Sequence, residues 1–156
     1  MEKKGRLSAR SVLNEKMQDC RSFLVELELQ CMKPQKAPRI LIVDDHEMLR
    51  RGVEAIIRRN SLGKLCGEAQ NGEEAIKRVQ ELKPDLVIMD VSMPVMGGLE
   101  AAREIRRIAP ATKIIILTMH NSAQIAEAVH EVGADALVVK TDAASNLADV
   151  IKDIRC

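Results

Sequence analysis

The sequence predicts a doubly wound, five-stranded parallel β-sheet with helices on both faces. Three observations predict it. Short, almost wholly apolar runs recur along the chain, stretches of helical period separate them, and glycines, prolines and polar turns mark the joints. A strand covered on both faces reads as a continuous apolar run, because neither side of it meets water.

"RILIV" (39–43) is the first such strand, and Leu49, Val53, Ile56 and Ile57 follow at three- and four-residue spacing, an apolar helical stripe. "LCGEAQ" (65–70) is a weaker strand. "NGEEAIKRVQEL" (71–82) then reads as a turn and a helix with Ala75, Ile76 and Val79 inward. "DLVIM" (85–89) is the third strand, and "GGLEAAREIRRIA" (97–109) is a helix entered by two glycines and ended by Pro110. "KIIILT" (113–118) is the fourth strand. "SAQIAEAVHEVG" (122–133) is a helix closed by Gly133, "ALVV" (136–139) is the fifth strand, and Ser145 to Arg155 is a last helix. Right-handed crossovers distribute these helices over both faces of the sheet.

Composition narrows the function classes. With 156 residues, 46% hydrophobic, 30% charged and a net charge of +1, the chain reads as one soluble globular domain. No apolar run approaches the roughly 18 residues of a membrane span, and the N-terminus lacks the apolar stretch of a signal peptide. The cysteines (Cys20, Cys31, Cys66 and Cys156) show no metal spacing, which favours a reducing, cytoplasmic setting. Near-neutral charge, no Trp, no Tyr and a single Phe (Phe23) argue against direct nucleic-acid binding by this chain.

"KPQKAP" (33–38), with two prolines, divides the chain into an N-terminal extension (1–32), a linker (33–38) and the domain proper (39–156). Through Pro38 there are eight basic and five acidic residues; the domain carries sixteen basic and eighteen acidic ones. In the extension Leu13, Met17, Cys20, Leu24, Leu27 and Cys31 form a heptad seam, compatible with a homodimer or a docked helix. Met32 as an alternative start, with the extension carrying no function, is the competing reading.

In a doubly wound sheet, function gathers beyond the carboxyl ends of the strands. The residues just past four of them are Asp44 and Asp45, Asp90, Thr118 and Lys140. For any one of these an ordinary loop start is the simpler explanation. For four ends with so complementary a set, chance is a poor one. A cluster of hard oxygen ligands, read here as free of His and Cys, suits Mg²⁺. A cation would also offset the repulsion between Asp44 and Asp45. Asp90 opens "DVSMPVMGG", a tight loop, where a carboxylate can attack phosphorus. Lys140 would pair with the phosphoryl group and Thr118 would hydrogen-bond it.

From Arg39 to Ile154 the chain closely resembles the receiver domain of two-component response regulators. "VDDH", "PDLVIMDVSMPVMGG", "ILTMH" and "GADALVVK" carry the resemblance, most like the branch paired with LuxR-type helix-turn-helix output domains. The resemblance implies the flavodoxin-like receiver fold, with Asp90 as phosphoacceptor, Thr118 as switch hydroxyl and Lys140 as the phosphoryl-binding lysine. It also implies a Mg²⁺ site of Asp44, Asp45, Asp90 and the Ser92 carbonyl. The donor would be a histidine kinase or phosphotransfer protein, and the receiver itself would supply the catalytic groups and be no enzyme beyond autocatalysed transfer and dephosphorylation.

Three departures stand out. Leu137, after Ala136, occupies the place of the family's usual aromatic; Thr141 follows the lysine instead of proline; and the sequence ends at Cys156, where a linker to an output domain would begin. The alternatives are therefore a degenerate receiver acting as a constitutive binding module, or the receiver part of a LuxR-type transcription regulator. A haloacid-dehalogenase-like hydrolase needs a second acid two residues after the nucleophile, and Ser92 stands there. His120 and His130 read as surface histidines, and Met93, Met96 and Met119 as adaptable packing near the site. "LRR" (49–51) and "IRR" (57–59 and 105–107) read as solvated helix faces.

Overall fold

A computed structural model of the chain describes residues 36–155. The expected heptad seam from Leu13 to Cys31 lies outside the described residues, as do Lys33 to Gln35 of the linker and Cys156. Five strands, β1 (Arg39–Val43), β2 (Lys64–Ala69), β3 (Leu86–Asp90), β4 (Lys113–Thr118) and β5 (Ala136–Val139), pair in parallel in the order β2-β1-β3-β4-β5. Helices α1 (Glu47–Arg59), α2 (Gly72–Leu82), α3 (Gly98–Ile108), α4 (Ala123–Glu131) and α5 (Ala143–Arg155) connect and close them. The doubly wound sheet is thus as expected, with boundaries displaced by a residue or two. The last helix begins at Ala143 rather than Ser145, because Lys140–Asp142 already coil into a 3-10 turn that leads straight into it.

Each strand sends alternate side chains to opposite faces, and two cores result. Ile40, Ile42, Leu86, Ile88, Ile115, Leu117 and Val138 pack beneath α1 and α5 with Val53, Ile57, Leu147 and Ile151. Leu41, Val43, Val87, Met89, Ile114 and Ile116 pack on the other face with Ala75 and Val79 of α2, Ala101 and Ile105 of α3, and Val129 of α4. Each fully buried Leu or Ile contributes about 1.5–3 kcal/mol of transfer free energy. That sum, set against chain entropy, is what holds the strand ends in register.

Two arginines depart from the reading of solvated helix faces, which holds for Arg51, Arg58 and Arg107, 68%, 78% and 71% exposed. Arg50 is 7% exposed and buried under the β1–α1 turn, whereas its neighbour Leu49 is 38% exposed, outside the stripe the spacing suggested. Arg106 on α3 donates to the carbonyl oxygens of Pro110, Thr112 and Gly133 and to Asp135 at 2.7–3.1 Å. Asp135 also accepts from the Ile114 amide and from Lys113 Nζ. Burial pushes that carboxyl up, but these donors outweigh it and hold the pKa below the usual aspartate value. Arg106 and Asp135 therefore tie the β4–β5 end opposite the functional edge. Gly133, at φ +73°, supplies the left-handed turn that presents its carbonyl to Arg106.

The loop after β3 closes on itself. Gly98 donates its amide to the Val91 carbonyl at 2.9 Å, and a Cβ at Gly98 would lie 1.9 Å from the Asp90 carbonyl oxygen. No backbone oxygen tolerates that, so a side chain here must push Asp90 out of place. Gly98→Ala is expected to cost about 2–4 kcal/mol of unfolding free energy. Urea denaturation measures it, and a loss of under about 0.5 kcal/mol would show that the loop is not as tight as described.

Candidate functional site

The chain runs from β1 outward to β2 and returns to β3 on the far side of β1, so strand order reverses between β1 and β3. A crevice opens at the carboxyl ends there. Parity decides which side chains enter it. Val43 pairs with Met89, so Asp44 and Asp90 lie one step further along neighbouring strands, on the face of Ile42 and Ile88. Lys140, two residues past Val138, continues the same face. The sheet therefore places two acids and one amine on one side of one edge.

Lys140 Nζ lies 2.8 Å from Asp44 Oδ2 and 3.1 Å from Asp90 Oδ2. All three side chains are buried, with 7%, 2% and 5% exposure. Burial pushes the Asp90 carboxyl above the usual aspartate pKa, and the nearby charge of Asp44 adds to the rise. The hydrogen bond and charge of Lys140 and the Ser92 amide pull it down without reversing the sign. For Lys140, burial opposes the charged form, yet its bonds to Asp44 and Asp90 win and raise the pKa. The amine is thus held as a cation, while burial disfavours the charged form of the Asp90 carboxyl, an environment that is common at functional sites.

Asp45 faces away from this trio, as neighbours at a strand end must. It is 30% exposed and meets the imidazole of His46, whose Nδ1 lies 2.9 Å from Asp45 Oδ1 and 3.3 Å from Asp44 Oδ1. Ligand atoms of Asp44, Asp45 and His46 all come within 4.8 Å of one another. The expectation of a cluster without histidine is corrected here: the backbone turn that joins β1 to α1 folds His46 back, its amide donating to Asp44 Oδ1 at 2.8 Å. Of the four residues expected around a cation, Asp44 and Asp45 come together. Asp90 is not among those clustered atoms, its Oδ2 being held by Lys140. Ser92 sits exposed in the β3–α3 loop, directing its amide to Asp90. One partly exposed carboxylate, Asp45, beside the buried acids Asp44 and Asp90 is a donor set that fits a hard divalent cation.

Thr118, 3% exposed, uses its hydroxyl inside its own loop, donating to the His120 carbonyl at 3.0 Å and accepting from the His120 amide at 3.3 Å. The parity of β4 explains this, since Thr118 continues the face of Ile114 and Ile116, opposite to that of Lys140. His120 and His130 are exposed, as expected. Met93 and Met96 pack against the core, but Met119 is 57% exposed and not packing. Leu137 is half-buried against the α2–α4 core.

Two positioning groups escaped the sequence. Arg50 Nη1 donates to the Asp44 carbonyl at 2.8 Å and Nε to Glu68 at 3.0 Å, which fixes the β1 end from beneath. Its signal was available: Arg50, Val53 and Ile57 share one helical stripe, so an arginine on it is either buried or misplaced. The second is Val95, a β-branched residue at φ +68° in the β3–α3 loop. No L-residue is relaxed there, so the loop beside Asp90 stores backbone strain.

Comparison with known proteins agrees with this geometry. The family model of the response regulator receiver domain matches residues 40–152. The response regulator protein VraR of Staphylococcus aureus (strain NCTC 8325 / PS 47) is 36% identical over 114 residues, 73% of this chain and 54% of that protein. VraR of Staphylococcus epidermidis is 36% identical over 116 residues, 74% of this chain and 56% of that protein. The chain thus spans about half the length of these curated relatives. Among solved structures, a LuxR-family two-component response regulator from Aurantimonas sp. SI85-9A1 superposes with a TM-score of 0.72 at 36% identity, covering 76% of this chain and 85% of that one. A LuxR-family DNA-binding response regulator from Staphylococcus aureus gives a TM-score of 0.71 at 29% identity, over 76% and 99% of the two chains. With the motif order, the sheet order and the acid–lysine edge all in agreement, the chain belongs to the receiver-domain family of two-component response regulators.

Proposed function

We propose that Asp90 is the phosphoacceptor of this receiver and that Asp44, Asp45, Thr118, Lys140 and the Ser92 carbonyl serve the transfer. The observation that carries this reading is Lys140 Nζ bridging Asp44 and Asp90 at 2.8 and 3.1 Å. An ammonium held there has one acid to balance it permanently and one to release. The donor is the phosphohistidine of a histidine kinase or phosphotransfer protein, met in the cytoplasm.

An Asp90 carboxylate oxygen attacks phosphorus, a P–O bond forms, and the P–N bond breaks with its electron pair returning to the donor imidazole. Lys140 follows the charge from the carboxylate to the phosphoryl oxygens. Thr118 gives up the His120 carbonyl and donates to the phosphoryl group, which redraws the β4–α4 loop. Asp44, Asp45, Asp90 and the Ser92 carbonyl would hold a Mg²⁺, which would supply the positive charge that close acids and a phosphoryl group need. Its fit rests on the Asp44–Asp45 donor set. A homodimer driven by the modified surface, and control of a LuxR-type output domain in a longer protein, extend the proposal. The second reading is a constitutive binding module, favoured by Leu137, whose aliphatic side chain lacks the flat ring that swings in the family's usual relay.

The test is intact-mass spectrometry after incubation with acetyl phosphate and Mg²⁺. Wild type is expected to gain one phosphate-sized increment; Asp90→Asn, and wild type in EDTA, are expected to gain none. An equal gain in Asp90→Asn removes Asp90 from its role. No gain in folded wild type, with acetyl phosphate and with phosphorylated histidine kinases, favours the binding module.

A further inference from the structure

The imidazole of His46 has no structural use that the fold requires. His46 is the N-cap residue of α1, yet its side chain makes no capping bond, and it stands 67% exposed to solvent. Its backbone is nevertheless tied down, because its amide donates to Asp44 Oδ1. The ring is carried to one place, with Nδ1 at 2.9 Å from Asp45 Oδ1 and 3.3 Å from Asp44 Oδ1. Two ligands in adjacent positions of an octahedron, each about 2.1 Å from the ion, lie about 3.0 Å apart. His46 Nδ1 already stands at about that spacing from each carboxylate oxygen, and all three ligand atoms lie within 4.8 Å of one another. A cation among them would be shared by one imidazole nitrogen and two carboxylate oxygens. The exposure of the ring keeps the remaining coordination positions open to water.

We propose that His46 is a third side-chain ligand of the cation site, and that it tilts the site from Mg²⁺ toward first-row transition cations such as Mn²⁺ and Ni²⁺. Mg²⁺ prefers oxygen ligands and holds imidazole poorly, whereas the transition cations accept it readily. Two carboxylates and one imidazole therefore discriminate where carboxylates alone do not. This rests on the cation site of the proposed function and goes beyond the oxygen-only site that the family pattern implies.

The test is the affinity of the full chain for MgCl₂, MnCl₂ and NiCl₂ by isothermal titration calorimetry, in wild type and His46→Ala. The variant is expected to bind Mn²⁺ and Ni²⁺ about tenfold more weakly while its Mg²⁺ affinity stays within about twofold. A second readout needs no variant: pulsed electron paramagnetic resonance of bound Mn²⁺ is expected to show nitrogen-14 coupling from a coordinated imidazole. Parallel weakening of all three metals would assign His46 to positioning the carboxylates and overturn the proposal. So would unchanged Mn²⁺ and Ni²⁺ affinity, or Mn²⁺ without nitrogen coupling. In those cases Mg²⁺ binding and Asp90 labelling in wild type would leave the phosphoacceptor reading standing. A wild type that binds none of the metals and is not labelled sinks both.

Discussion

One ammonium between two buried carboxylates is the constraint on which the rest of this structure depends. Lys140 pairs with Asp44 and Asp90 at the end of a sheet whose core excludes water. Removing one member of a buried pair typically costs about 3–5 kcal/mol, because the other is left uncompensated. Here the imbalance is built in, since two acids share one base and a third acid, Asp45, stands beside them. Such an arrangement is poor for stability and good for chemistry. Asp90 shares the Lys140 ammonium with Asp44, so neither acid has a base to itself.

The scaffold can be understood as what keeps that imbalance from relaxing. Parallel pairing of β1 with β3 sets Asp44 beside Asp90, and β4–β5 pairing brings Lys140 to the same face. Arg50 grips the Asp44 carbonyl, Gly98 lets α3 start against the Asp90 carbonyl, and the strained Val95 lies in the loop between. At the opposite end, Arg106 and Asp135 lock the β4–β5 connections. The Thr118 hydroxyl is bonded within its own loop, so it can change partners without breaking the sheet.

Much of this was legible in the sequence, and for identifiable reasons. The apolar runs gave the strands and their order in the chain, and the residue after each strand gave Asp44, Asp45, Asp90, Thr118 and Lys140. Parity could have gone further: counting in twos along β1, β3, β4 and β5 separates Asp44, Asp90 and Lys140 from Asp45 and Thr118. What could not be counted was the reach of long side chains. Arg106 looks like a solvated charge because arginine usually is one, and only tertiary packing reveals the carbonyl groups within range of its guanidinium group, whereas Arg50 at least shares the stripe of Val53 and Ile57. His46 escaped for a different reason, since a tight turn, not a periodic element, folds it back on the two aspartates.

The most direct test of the built-in charge imbalance is the unfolding free energy of Asp90→Asn against wild type, in EDTA, as a function of pH. Because burial raises the folded-state pKa of Asp90, its contribution is fully present below the unfolded pKa and is lost as pH rises through the folded one. Lys140, also raised, loses its contribution only in the alkaline range and does not interfere near neutrality. Asp90→Asn is expected to gain on wild type as pH rises from the unfolded aspartate range to neutrality, ending the more stable of the two. A variant less stable than wild type by about 2 kcal/mol at neutral pH would contradict it, by showing that Asp90 and Lys140 form a satisfied pair rather than a poised one.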